Sequence, residues 1–288
     1  VTNAIPLRRP PQPEITTEIV PIDPVVAEQY LKYNTHNRPL AENKVLQFAA
    51  DIECGRWQLN GEAIKFAVDG TLLDGQHRLH AIILCGATIE SLVIWGLPPE
   101  AQTTMDQGTK RSAADQLNLA GIDASKSDAS AIKTLITWER GWFYTEKATG
   151  AVTSTDIVQW GHDNPEVFEL IRRGSQYTRI KARRGLVMAV FAGIARVHGI
   201  EVTAAFFQRV LDGVGLQSGS PILALRNRLD RVRGEGFKMP DGEAVGYFVI
   251  AFNHWLAGHN VAKLQQTKGG WNKTNFPQVA APKPEQLR

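Results

Sequence analysis

Five consecutive residues, Asp74-Gly75-Gln76-His77-Arg78, place an acid, a glycine, an amide, an imidazole and a guanidinium where the β-type run Leu72-Leu73 ends and an apolar helical pattern begins at Leu79, Ile82 and Ile83. A helix start offers unpaired backbone N–H groups and the positive end of the helix dipole, and an arginine there adds a planar fork of donors for phosphate oxygens. The chemistry implied is phosphate binding. Gly75 allows a ligand to approach the backbone, Gln76 lies on the same turn, and Arg78 is placed to clamp a phosphate through two parallel bonds. His77 suits donation to a phosphate, proton transfer or packing of the turn. Asp74 suits a magnesium ion, activation of a hydroxyl or a helix cap. His80 follows three residues later, but two histidines without further neighbouring ligands make a poor zinc site.

The elements around this turn must hold it at a strand-to-helix junction. Asp69-Gly70 between Lys65-Phe66-Ala67-Val68 and Thr71-Leu72-Leu73 is a tight-hairpin signal that delivers Asp74 and Gly75 at the end of a returning strand. Trp57, Leu59, Ile64, Phe66 and Val68 predict a pair of short strands. Glu18-Ile19-Val20-Pro21-Ile22 reads as a strand whose proline points to a sheet edge or a strand end, and Asp23-Pro24 opens a short helix or turn. Asn34-Thr35-His36-Asn37-Arg38 is a polar loop, after which Val45, Phe48, Ala49 and Ile52 recur at helical spacing until Gly55. Ser91-Leu92-Val93-Ile94-Trp95 is a further strand. A second polar turn runs from Met105 to Ser112 and offers Thr109, Lys110 and Arg111 as phosphate contacts able to close over the first.

Beyond residue 122 the pattern turns helical. Segments are predicted over 132–142, 156–160, 167–171, 186–197, 203–214, 221–232 and 243–256, with Ser220-Pro221 as a helix opening and Gly199, Gly215 and Gly258 as stops. Trp138, Trp142 and Trp160 fall at helical positions and read as core. The expected organisation is α+β: a flexible arm over 1–14, a small mixed-sheet domain over 15–121, an all-helical domain over 122–262 and a tail over 263–288.

The chain has 288 residues, 43% of them hydrophobic and 21% charged, a globular composition. Cys54 and Cys85 form no pair or metal spacing and read as small core residues. No apolar run is expected to reach the roughly 20 residues of a membrane span, so a cytoplasmic location without a membrane partner is the default. No Walker A, GxSxG or HExxH motif supports P-loop, serine hydrolase or zinc peptidase chemistry. Net charge is only +3, yet Arg172, Arg173, Arg179, Lys181, Arg183 and Arg184 fall in one segment with no acid among them and Tyr177 interleaved. That segment is a candidate to track a DNA backbone.

The signature and its order of surrounding elements resemble the ParB/sulfiredoxin superfamily over residues 18 to 115, about a third of the chain. Partition proteins of that superfamily carry a Gly-Glu-Arg-Arg version that binds CTP, sulfiredoxins a Gly-Cys-His-Arg version that binds ATP, and free-serine kinases an Asp-Gly-His-His-Arg version. The resemblance is also to Asp-Gly-Gln-His-Arg proteins of DNA modification and of phage or mobile-element systems. It implies a nucleoside triphosphate, ATP or CTP, with Mg2+, held by Gly75, Gln76, His77 and Arg78. Asn37 and Arg38 would lie beside the nucleotide, and Glu18 or Glu62 would be an outside base. Gln76 stands where sulfiredoxin has its reactive cysteine, which excludes that thiol chemistry. The expected function is nucleotide-dependent DNA binding or processing, in which nucleotide at the first turn orders the second and alters DNA affinity. A phosphotransferase acting on a hydroxyl of a small molecule or modified base is the alternative, followed by a metal-dependent nuclease. A homodimer is left open.

Overall fold

The computed structural model describes residues 14–35, 37–105, 111–144, 152–234 and 239–282. The chain divides into two compact units, residues 1–110 and 111–288. The first is a four-stranded mixed open sheet with helices, the second largely helical, so the α+β architecture followed by helices is as the sequence predicts.

In the first unit β1 (Thr16–Ile22) leads into α1 (Pro24–Leu31), where Asp23 accepts the Val26 N–H at 2.7 Å as an N-cap. Then follow α2 (Glu42–Glu53), β2 (Ile64–Ala67), β3 (Leu72–Asp74), α3 (Gln76–Cys85) and β4 (Ile89–Leu97). The sheet order is β1-β4-β2-β3, with β1/β4 and β2/β3 antiparallel and β2/β4 parallel. Pro21 thus sits in an edge strand, where a missing N–H is tolerated. The Asp69-Gly70 hairpin forms, with Gly70 at φ 88° and Asp69 accepting the Thr71 N–H. Trp57 and Leu59, expected in a strand, lie in irregular chain. The core of this unit gathers Ile22, Ile64, Leu72, Leu79, Ile82 and Val93, all closed to solvent, and α3 packs between α1 and α2.

In the second unit α4 (Ala113–Leu119), α5 (Lys126–Glu139) and α6 (Ser154–Asp163) each begin with a reciprocal capping box, Ser112 with Asp115, Ser125 with Asp128 and Thr153 with Asp156. They are followed by α7 (Pro165–Gly174), α8 (Arg184–Asp212), α9 (Pro221–Gly234) and α10 (Asp241–Leu256). Two predicted helices are one, α8, with a break in its backbone at Gly199 (φ 77°, ψ 169°). Contrary to expectation, this segment is long and apolar enough to cross a bilayer by length and composition. Here α5, α7 and α10 pack against it. The predicted tail is docked over its described part: Leu264 and Trp271 are buried, Trp271 meets the Tyr247 ring edge-on at 5.0 Å, and the Asn253 amide bonds the backbone of Gln278 and Ala280. Single anchors hold it, and these leave no periodicity to read. Cys54 is exposed and Cys85 only partly covered, so neither is the core residue expected.

Candidate phosphate-binding site

Gly75 sits at φ 109° as the N-cap of α3, and a Cβ there would lie 2.9 Å from Ile64 Cγ1. The left-handed backbone and the close approach to β2 both require glycine. Its own N–H donates to Asp74 Oδ1 at 2.7 Å, and its carbonyl accepts the Leu79 N–H. No side chain caps the first turn, so the N–H groups of Gln76 and His77 have no acceptor within the helix.

The three polar side chains that follow are 6–7% exposed, and each ties the turn to a neighbouring segment. Gln76 donates to the Arg38 carbonyl at 2.9 Å and accepts from the Asn34 amide at 3.1 Å. His77 Nε2 accepts the Ala41 N–H at 3.0 Å, which leaves any ring proton on Nδ1. Burial, then Lys44, Arg38 and His80, hold the His77 pKa below the usual imidazole value against the opposing pull of Asp74. Burial likewise lowers that of His80. Arg78 donates to the carbonyls of Glu62 and, at 2.6 Å, of Ala63, with Asp74 Oδ2 3.9 Å away. Asn37 donates to the Leu72 carbonyl and to Asn34 Oδ1, both at 2.7 Å, and accepts from Gln102, which also donates to the Leu73 carbonyl. An amide lattice therefore fixes Asn34, Asn37 and Arg38 on the signature.

Two cavities flank this lattice. One, of about 230 Å³, is bounded by Arg38, Lys44, Asp74, Gly75, His77 and Arg78 on its charged side and by Phe48, Trp57, Asn60 and Glu62 on the other. The second, of about 240 Å³, adds Asn37, Leu73, Gln76, Gln102 and Met105, and shares Arg38, Asp74 and His77 with the first. Asp74, besides holding Gly75, accepts from Lys65 Nζ at 3.1 Å. The sequence reading missed Lys44, Phe48, Trp57 and Gln102. Lys44 and Phe48 stand four apart on α2, a spacing that puts both on one helix face and could have been read. Trp57 and Gln102 lie in irregular chain and a 3-10 turn and carried no such signal.

Other expected residues are placed differently. Glu18 is exposed on β1 and borders neither cavity, Arg111 is exposed at the start of the second unit, and Thr109 and Lys110 lie outside the described residues. In the basic segment four of six cations have acid partners from elsewhere in the sequence: Arg172 with Asp123, Arg173 with Glu169, Lys181 with Asp230 and Arg183 with Asp241. Among the described residues Arg179 and Arg184 have none. Comparison of the chain with protein-family models, curated proteins and solved structures finds no match.

Proposed function

We propose that the first unit binds a nucleoside triphosphate, with its phosphates over the first turn of α3 between Arg38 and Lys44. The observation that carries this reading is the pair of cavities sharing Arg38, Asp74 and His77 beside an uncapped helix start. Either cavity alone is below the roughly 300 Å³ at which ligand pockets usually begin, whereas the two together reach that range. Phe48 and Trp57 supply an apolar wall where a base can stack. Magnesium would arrive with the phosphates. It commonly uses one or two carboxylates plus phosphate oxygens, and Asp74 is the carboxylate beside the turn.

Asp74, one expected base, already holds the Gly75 N–H and Lys65, which favours binding over phosphoryl transfer through it; Glu62, on the wall of the first cavity, is the carboxylate that the transfer alternative would use. The superfamily resemblance of the signature agrees with a nucleotide. The helical unit is the part proposed to meet DNA, through Arg179, Arg184 and exposed ion pairs whose arginines and lysine can exchange a carboxylate for a phosphate at little cost.

Equilibrium titration with ATP, CTP, GTP and ADP, with and without magnesium, tests the nucleotide reading. Lys44→Ala should weaken the preferred nucleotide about tenfold, the worth of one charge-assisted contact. Undiminished binding in that variant, or no binding at millimolar nucleotide, would refute the site.

A further inference from the structure

A third cavity, of about 350 Å³, lies wholly within the helical unit where α5, α7 and α8 meet. Its polar lining is Ser125, Ser127, Arg172, Ser175, Thr178 and Arg184, with one acid, Asp128. That acid is 8% exposed, and its Oδ2 accepts both the N–H and the hydroxyl of Ser125. Arg172, Arg184 and the hydroxyls of Ser127 and Ser175 present donors, whereas the Thr178 hydroxyl already donates to the Ser175 carbonyl at 2.9 Å. The Arg172 guanidinium is pre-placed by the Asp123 carbonyl and by the Phe168 ring 4.8 Å beneath it. Its ionic partner, the Asp123 carboxylate, is 99% exposed, so water already competes for that pair. Arg184 and the hydroxyls of Ser127 and Ser175 have no partner among the described residues.

We propose that this cavity binds the phosphate group of a phosphate ester, with Arg184 and Arg172 as its charged clamps and the hydroxyls of Ser127 and Ser175 as neutral donors. Two guanidiniums and two hydroxyls, against one carboxylate whose Oδ2 is held by Ser125, suit a tetrahedral anion with several acceptor oxygens. The volume exceeds what a single phosphate fills, so part of the carrier enters with it. The carrier is a nucleic-acid backbone or a free phosphomonoester. The first source deepens the DNA part of the proposed function; neither source depends on the nucleotide site of the first unit.

The test uses the full chain, a labelled duplex followed by anisotropy over a range of salt, and ribose 5-phosphate followed by calorimetry. Arg184→Gln, at an exposed position, should leave the thermal midpoint unchanged. If the backbone is the source, it weakens the duplex about tenfold and lowers the salt slope by about one. If the source is free, ribose 5-phosphate binding falls by a similar factor while the duplex is unaffected, and failure of the parent to bind duplex then removes only the DNA reading. Equal binding of both ligands by parent and Arg184→Gln, or binding of neither by the parent, overturns the proposal. Ser175→Ala should reproduce the direction of the effect at smaller amplitude.

Discussion

Replacing Arg78 by alanine should damage the fold of the first unit before it damages binding. The side chain is 8% exposed and donates to two backbone carbonyls, of Glu62 and Ala63, just before β2. Hydrogen bonds from a charged donor contribute about 1.5–3 kcal/mol each, and a buried carbonyl left unpaired costs more than the average bond gains. Ala63 is itself 2% exposed, so water cannot simply replace the lost donor. The expected loss is about 3–5 kcal/mol, a large part of the 5–15 kcal/mol that a domain typically has. A solvent-facing phosphate clamp would change stability by no more than about 0.5 kcal/mol.

Urea unfolding separates the two. With an m value of about 1.5 kcal/mol/M, the transition of the first unit should fall by about 2 to 3 M. Hydrogen exchange of α3 peptides assigns that transition to the right unit. Arg78→Lys should fall between, since an ammonium keeps the charge but not the fork. A parent-like midpoint in Arg78→Ala would refute the argument and return Arg78 to the role of a free clamp. If the midpoint drops, loss of nucleotide binding in that variant says nothing about contact, and Lys44→Ala becomes the informative probe.

Gly75→Ala forces a side chain into left-handed backbone and against Ile64, and should cost about 2–4 kcal/mol, read as a lower urea midpoint; Ile64→Val in the same background should recover part of it, and no loss at all would refute the strain. The neutral His77 ring is the form that accepts the Ala41 N–H, and its folded pKa lies below the ordinary value of about 6.5. Its contribution is therefore complete above that pH and is lost as pH falls from there through the folded value, so His77→Gln should flatten the stability slope between about pH 7 and 5. An unchanged slope would remove His77 from the account. Gly246→Ala places a Cβ 2.3 Å from the Trp271 ring, and should displace the segment after α10 and red-shift its tryptophan emission; an unshifted spectrum would count against the docked tail.

What the sequence made legible is what short-range rules control. The Asp69-Gly70 turn, the Asp23 cap, the glycine at the start of α3 and the helical periods after residue 122 each follow from local backbone preference. Partnerships across the chain were not legible. The segment from Arg172 to Arg184 reads as uncompensated because three of its four acids, Asp123, Asp230 and Asp241, stand about 50 residues or more from their partners in sequence; only Glu169, four residues before Arg173, is local. Nor do residue types reveal that Trp271 fills the space left by Gly246, a contact between a helix and irregular chain.

The signature shows why a motif and a binding role must be argued apart. Gln76, His77 and Arg78 each have a structural reason to be a polar residue of their own type, since each satisfies backbone or amide groups that irregular chain brings to α3. A buried amide lattice of this kind must be nearly complete, because a half-satisfied one costs more than none. It leaves the first turn without a side-chain cap while holding the backbone of Arg38 beside it. A phosphate placed there would meet main-chain donors of the first turn, with Lys44 and Arg38 among the side-chain charges of the cavity wall. On the proposed nucleotide reading, selectivity would come from the walls that differ between the two cavities, Phe48, Trp57 and Asn60 in one and Gln102 and Met105 in the other.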